Sequence, residues 1–223
     1  KLKDDLNRGN DNVLFLPPYR SDHKINLYNL LKIEPELAGD KSSVKLIRAI
    51  AEQRNVKSDL EIQEIEKAVN RTVEMHQAAM QYALPGMTEA QVMARVYEKA
   101  HAAGGDVSFP IIATINGQTL HNHYHGNTIS EGQLFLLDAG AETKMGYAGD
   151  MSSTFPVGKE FSNVQKDIYE IALKSHNKAI EMCKPGVNFK DVHLQAAKEI
   201  VEGMKSLGFM KGDAHEAVQA GAH

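Results

Sequence analysis

The chain has 223 residues, of which 42% are hydrophobic and 24% charged, and its formal net charge is −4. This composition predicts a soluble globular protein with one sizeable core and part of a second domain. A net negative chain without a basic stripe argues against nucleic-acid binding, and no apolar run approaches the roughly 18 residues of a membrane span. Its single cysteine, Cys183, suits a reducing cytoplasm because no internal disulfide can form, and we expect it in the core.

The first 55 residues predict few elements. The apolar stretch VLFLPP at 13–18 predicts a strand, 19–23 a loop, and the segments near 25–31 and 43–52 two short helices. A strand so close to the start has no evident partner before the next long helix. We therefore interpret residues 1–55 as the end of an N-terminal domain.

Two pairs of helices follow, each with start and stop signals. Ser58 with Glu61 forms a capping box that opens an amphipathic helix over 59–84, and a second helix is predicted over 88–103. Ser162 with Gln165 opens another helix over 163–183, which is followed by one over 189–207.

The two pairs have the same order of helix, Pro-Gly, helix and Gly at an offset of 100 positions, which indicates an internal repeat. We therefore predict that the pairs superpose as two copies of one unit. His76 and His176 occupy equivalent positions, and both are predicted to be satisfied packing residues.

Between the pairs, 107–116 predicts a strand, 121–126 a histidine-rich loop, and 133–158 a β-hairpin. The apolar run before Asp138 and the segment leading through Asp150 to Phe155 give the pattern of strand, turn and strand. A turn centred on Lys144 would place Asp138 directly opposite Asp150. Directly opposed residues have Cβ atoms about 4.5 to 5.5 Å apart.

Two carboxylates at that separation repel each other, so they either share a proton or hold cations. A pair of divalent ions roughly 3.5 to 4 Å apart is a recurring hydrolytic site. The alternative is that both aspartates simply flank a turn in solvent. The apolar run ending in Asp138 favours a cleft, because a strand buried on both faces carries its last side chain toward the interior.

Three histidines alternate at 121, 123 and 125. On an extended strand they would share one side, as zinc ligands often do. We favour instead a solvated loop in which one histidine is functional.

Four motifs, Leu120-His121, LDAG at 137–140, GYAGD at 146–150 and TFPV at 154–157, resemble the pita-bread metallopeptidases, in the branch of Xaa-Pro aminopeptidase and prolidase. The resemblance covers roughly 57–223. It implies a duplicated α+β fold, with helices outside a curved antiparallel sheet and a partial metallopeptidase domain over 56–223. It also implies a site for two divalent ions, usually manganese, with five protein ligands.

Carried over residue by residue, the resemblance makes Asp138 a ligand of one ion and Asp150 a ligand of both. His121 corresponds to the histidine that assists proton movement, and Ser152 to a residue that supports the second aspartate by hydrogen bonding. Relatives space the two aspartates one residue closer, so the turn carries an insertion. The remaining ligands, one histidine and two glutamates, have no counterpart after Lys211, and the chain is expected to be a fragment that is inactive alone.

The function implied is removal of an N-terminal residue that precedes proline, by water activated between two metal ions. A dipeptidase restricted to Xaa-Pro, creatine hydrolysis on the same fold, and a non-catalytic binding module remain as alternatives. The expected partners are peptides with proline at the second position and further copies of the chain. Nucleic acid and membrane are not expected, and the expected location is the cytoplasm.

Overall fold

The computed structural model describes residues 13–102, 104–158 and 160–223. The chain divides into two compact units, Lys1–Gln63 and Glu64–His223. The division falls inside helix α3 (Asp59–Tyr82), whereas the sequence suggested a boundary at 55/56. That the first segment is the end of an N-terminal domain stays a prediction.

The first unit contains helices α1 (Ser21–Leu31) and α2 (Val44–Asn55). Helix α2 begins where predicted, because the Ser43 side chain accepts a hydrogen bond from the Leu46 backbone N–H. The strand predicted at 13–18 is wrong, since these residues have no regular structure; the stretch ends in two prolines, which donate no backbone hydrogen bond. The loop predicted at 19–23 is also partly wrong, because α1 already begins at Ser21.

The two predicted helix pairs are present. The first is α3 with α4 (Glu89–Ala102), and the second is α5 (Asn163–Met182) with α6 (Phe189–Ser206). Gly86 and Gly186, which follow the first helix of each pair, have φ values of 89° and 86°. The same left-handed stop thus recurs 100 residues apart, as the repeat requires, while superposition of the pairs stays a prediction. A short helix that was not predicted from the sequence, α7 (Ala214–Gln219), begins after the N-cap Asp213.

The strands form two small antiparallel groups. Strands β2 (Ile112–Thr114), β3 (Leu134–Ala139) and β5 (Met151–Pro156) form one in the order β2-β3-β5, while β1 (Asp106–Val107) pairs with β4 (Ala141–Glu142). The single strand predicted at 107–116 is therefore interrupted. Val107 lies opposite Ala141 and Ile112 opposite Asp138, so the chain between β1 and β2 bulges by two extra residues.

One apolar core lies between this sheet and the first helix pair. The residues of α3, α4 and β3 that form it include Met75, Ala79, Val92, Val96, Phe135 and Leu137. Alternate residues of β3 are buried, and the others, including Leu136 and Asp138, are half-buried. Strand β3 thus has one core face and one more open face, which corrects the expectation that it is buried on both.

Cys183 is exposed, not in the core, because it follows the last residue of α5 and lies at the helix C-cap. Among the helices that the structure describes, none is long and apolar enough to cross a membrane.

Candidate metal centre

The register of the hairpin differs from the predicted one. Asp138 lies opposite Ser152, and Ala139 lies opposite Met151. The expectation that Asp138 directly faces Asp150 is therefore wrong. The Thr143 backbone N–H donates to the Tyr147 carbonyl at 2.9 Å, and Gly146, with a φ of 79°, lies between them, so the centre of the turn is at Met145 and not at Lys144.

The same register continues to the turn. Ala148 forms a bridge with Glu142, and the Gly149 backbone N–H donates to the Ala141 carbonyl at 2.8 Å. Asp150 therefore falls opposite Gly140, two residues along from Asp138. Because strand side chains alternate with a period of two, positions 138, 150 and 152 share one face, and the two aspartates are diagonal neighbours at about 7 to 8 Å between Cα atoms.

Asp138 is half-buried and Asp150 is exposed. Carboxylate oxygens are hard donors of the kind that Mg²⁺, Mn²⁺ and Ca²⁺ prefer. Within the described ranges, no group of three or more His, Cys, Asp or Glu side chains is arranged to hold a metal ion. The two aspartates fit part of a coordination shell, and further ligands are needed to complete it.

Helix α3 holds the hairpin from behind through Thr72. This residue is fully buried, and its hydroxyl accepts a hydrogen bond from the Ala141 backbone N–H and donates one to the Ala68 carbonyl, both at 2.9 Å. Ala141 comes three residues after Asp138. Thr72 therefore fixes the β3–β4 end of the hairpin to the helix.

His76 lies one helical turn further along the same face of α3 and contacts both hairpin strands. Its Nε2 lies 3.2 Å from the Ala139 carbonyl, and its Nδ1 lies 2.6 Å from the Ser153 hydroxyl. A carbonyl only accepts hydrogen bonds, so Nε2 carries the proton and Nδ1 accepts from Ser153. Burial lowers the pKa of His76, against opposing hydrogen bonds to the Ala139 and Met151 backbone and the charge of Asp138. A buried, neutral histidine thus joins the residues that follow Asp138 and Ser152.

These contacts confirm His76 as a satisfied packing residue, but the prediction for its repeat partner is wrong. His176 is exposed and lines a shallow groove of about 350 Å³ between β5 and α5. The described residues on its side of α5 provide no strand like the one that covers His76. Equivalent positions in the repeat therefore have different surroundings.

Two glycines permit the close approach of the hairpin to α3. A Cβ added at Gly149 would lie 2.3 Å from Thr72 Oγ1 and 2.9 Å from the Ala68 carbonyl oxygen. One added at Gly140 would lie 1.9 Å from the Gly149 carbonyl oxygen, which also accepts a hydrogen bond from the Ser108 hydroxyl at 2.8 Å. The backbone beside Asp150 is thus held between α3 and the bulge that separates β1 from β2.

His121 lies in an irregular segment and is exposed, with a φ of 53°. This left-handed backbone conformation is uncommon for a residue other than glycine. The three histidines at 121, 123 and 125 do not form a strand, so the alternative of a shared zinc-binding side is wrong. His125 instead donates a hydrogen bond from Nδ1 to the Ala113 carbonyl at 3.2 Å.

Ser152 is exposed and lies opposite Asp138. The roles assigned by resemblance to His121, Asp138, Asp150 and Ser152 stay predictions at this point. Thr72, His76 and Ser108, which hold the hairpin, were missed as site residues. Only the placement of Thr72 and His76 four residues apart on α3 indicates from sequence that they share a face.

A profile of metallopeptidase family M24 matches residues 63–221. Among curated proteins, the chain is 34% identical over 179 residues to the Xaa-Pro aminopeptidase of Escherichia coli strain K12, covering 78% of this chain and 40% of that protein. A probable Xaa-Pro aminopeptidase of Fusarium vanettenii is 36% identical over 177 residues, covering 78% of this chain and 38% of the relative. The chain thus spans about two fifths of the length of these relatives.

Solved structures give the same result. Proline aminopeptidase P II from Yersinia pestis matches with a TM-score of 0.83 and 27% identity, covering all of this chain and 52% of that one. Aminopeptidase PepP of Pseudomonas aeruginosa matches with a TM-score of 0.81 and 27% identity, over 94% of this chain and 49% of that one. These similarities confirm the predicted α+β pita-bread fold, present here in part.

Proposed function

Because the chain belongs to metallopeptidase family M24, we propose that the protein containing it removes the N-terminal residue from peptides with proline at the second position. Membership in this family implies dependence on a divalent metal. The observation that carries the proposal is that Asp138 and Asp150 share one face of an antiparallel ladder. The similar Xaa-Pro aminopeptidases provide the substrate class.

Asp138 and Asp150 would hold two divalent ions, which we propose to be manganese, together with ligands outside the described residues. Asp150 would contact both ions and Asp138 one. When bound, such ions polarise the scissile carbonyl and activate a water for attack. Ser152, on the same face, would support the aspartates by hydrogen bonding. In this proposal Thr72 and His76 keep both carboxylates in place from behind.

His121 would move a proton at the substrate without being a metal ligand. Its exposure and its left-handed backbone support this role, because uncommon backbone conformations cluster at functional sites. An imidazole is the side chain most suited to proton transfer near neutral pH. His123, exposed in the same segment, provides a matched control.

A cytoplasmic location and association of several copies complete the proposal. The single cysteine supports the first. Exposed apolar side chains along α5, among them Val164, Ile168 and Ile180, support the second, because an apolar helix face favours a covered surface.

The test uses the complete reading frame that contains this chain, purified beside residues 1–223, with manganese added to both. We expect hydrolysis of an Xaa-Pro-containing tripeptide by the complete protein and none by residues 1–223, whose metal ligands are incomplete in this proposal. Comparable turnover by both would contradict the proposed division of the site. Exclusive hydrolysis of an Xaa-Pro dipeptide would favour the dipeptidase alternative.

Variants of the complete protein separate the roles. Asp138→Asn and Asp150→Asn should lower bound manganese, measured by elemental analysis, whereas Glu131→Gln, an exposed carboxylate elsewhere, should not. His121→Ala should lower turnover by about 10² to 10⁴, the usual range for a positioned acid or base, with metal content unchanged. Equal losses in His121→Ala and His123→Ala, or loss of metal on His121→Ala, would contradict the role of His121.

A further inference from the structure

The most isolated charge in the core is the carboxylate of Glu89, the first residue of α4, which is fully buried. Among the residues that the structure describes, no ion pair involves it. A buried carboxylate without a cation requires hydrogen-bond donors on its oxygens to offset the loss of hydration. Glu89 has three such donors, and they come from two separate segments of the chain.

Oε1 of Glu89 accepts from the Thr114 hydroxyl at 2.9 Å and from the Ile115 backbone N–H at 2.8 Å. Oε2 accepts from the Asn127 side-chain amide at 2.9 Å. Both oxygens therefore act as acceptors, as an ionised carboxylate does. The position at the N-terminus of α4 adds the favourable field of the helix.

Thr114 and Ile115 lie where the chain leaves β2, and Asn127 lies where it returns to the core. The returning side is also bound through its backbone, since the Asn127 and His125 carbonyls accept from the N–H groups of Glu89 and Ala90 at 3.1 and 2.9 Å. The segment between these two stems, residues 116–124, contains His121. Glu89 thus accepts hydrogen bonds from both ends of the segment that carries the proposed proton-transfer residue, and the His125 ring adds a direct bond between the stems by donating to the Ala113 carbonyl at 3.2 Å.

We propose that Glu89 is a positioning residue, which acts through His121 by clamping the two stems of the 116–124 segment. The expected effect on turnover rests on the proposed function, whereas the clamping of the two stems does not depend on it. Without the carboxylate, Ile115 N–H and Asn127 lose their common partner, so fewer hydrogen bonds join the two stems and the segment between them opens more easily. A misplacement of about 1 Å is enough to lower a rate by about 10²-fold.

Three variants of the complete protein test the clamp. Glu89→Ala removes both acceptors. Glu89→Gln keeps an acceptor for Thr114 and Ile115 but turns an N–H₂ toward the N–H₂ of Asn127, which can restore a hydrogen bond only by rotating its own amide. The double variant Glu89→Gln/Asn127→Asp restores a donor opposite an acceptor. Glu199→Ala, which removes another buried carboxylate in a different pair of helices, controls for general loss of stability.

The first measurement is amide hydrogen exchange. Glu89→Ala should speed exchange at Ile115 and across 116–124 by about 10-fold or more, as expected for a segment whose local opening becomes easier. The double variant should return exchange to within about 3-fold of the parent. Unchanged exchange in Glu89→Ala would overturn the clamp. Hydrogen exchange tests the clamp even if the protein hydrolyses no Xaa-Pro peptide.

The second measurement is turnover in two backgrounds. In the parent, Glu89→Ala should lower kcat by about 10- to 100-fold with little change in KM. In the His121→Ala background, the same change should cost less than about 3-fold, because residues that act as a unit are not additive. Equal losses in both backgrounds, or a loss in Glu199→Ala as large as in Glu89→Ala, would overturn action through His121. If Glu89→Ala does not fold, the same exchange and turnover measurements are made on Glu89→Gln and on the double variant Glu89→Gln/Asn127→Asp, and the same outcomes support or overturn the proposal.

Discussion

Gly149→Ala tests how closely the hairpin is held against α3. The added Cβ would lie 2.3 Å from Thr72 Oγ1 and 2.9 Å from the Ala68 carbonyl oxygen, whereas ordinary contacts begin at 3.4 Å. Neither neighbour is free to move. The Thr72 hydroxyl is hydrogen-bonded on both sides, and the Ala68 carbonyl belongs to the backbone of a helix. The hairpin must therefore move away by about an ångström.

The expected cost is the difference between two opposing effects. Overpacking in a well-packed site costs about 1 to 3 kcal/mol. Alanine in place of glycine recovers about 0.4 to 1 kcal/mol by restricting the unfolded chain, since Gly149 does not have a left-handed φ. The central values give a net destabilisation of about 1.3 kcal/mol, within a range of about 0 to 2.6 kcal/mol, and this lowers a urea midpoint by about 0.7 M at an m-value near 2 kcal/mol/M.

The assay is urea unfolding followed by far-ultraviolet circular dichroism, with Gly39→Ala measured in parallel. A Cβ at Gly39 meets nothing within 4 Å, so that variant should unfold at or slightly above the parent midpoint. Titration with manganese should also give weaker binding for Gly149→Ala, because Asp150 is the next residue. An unchanged midpoint for Gly149→Ala would refute the close seating of the hairpin on α3.

Two further predictions concern buried groups. The hydrogen bond from Lys174 lowers the pKa of Glu199 below its ordinary value of 4.5. The carboxylate therefore binds a proton more tightly in the unfolded chain than in the folded one. The stability that the ionised carboxylate adds is lost as the pH falls through and below 4.5. Glu199→Gln should therefore flatten the acid side of a stability profile measured from pH 7 to 3, and an unchanged profile would contradict the assignment. His76→Leu leaves the Ala139 carbonyl and the Ser153 hydroxyl without their partner and should lower the free energy of unfolding by about 1 to 3 kcal/mol for each group that stays buried; a thermal midpoint equal to that of the parent would contradict it.

The sequence by itself determined the two helix pairs. The side chains of Ser58 and Ser162 cap helices through bonds to residues three positions away, and a Pro-Gly pair follows each of these two helices. These signals act locally, so they can be recognised without knowledge of the fold. Asp138 and Asp150 share one face in both the predicted and the observed register, because the two registers differ by two residues and the side chains alternate with a period of two; a slip of one residue would have placed the two aspartates on opposite faces.

The register itself was decided by the tertiary structure. The left-handed Gly146 moves the turn by one residue, and the bulge between β1 and β2 interrupts a strand that the apolar pattern continued. Both depend on how the hairpin fits against α3 and the first helix pair. Periodicity alone carries no information about that fit.

Only the fold brings together the groups that hold the site. Thr72 and Ala141 are 69 residues apart, His76 and Ser153 are 77 apart, and Glu89 and Asn127 are 38 apart. A buried histidine or glutamate looks the same in sequence as one on a solvated helix face, because burial and hydrogen-bond partners arise from packing between distant segments. The sequence therefore determined which residues meet the metal and substrate side of the hairpin in our proposal, and packing decided which residues keep them there.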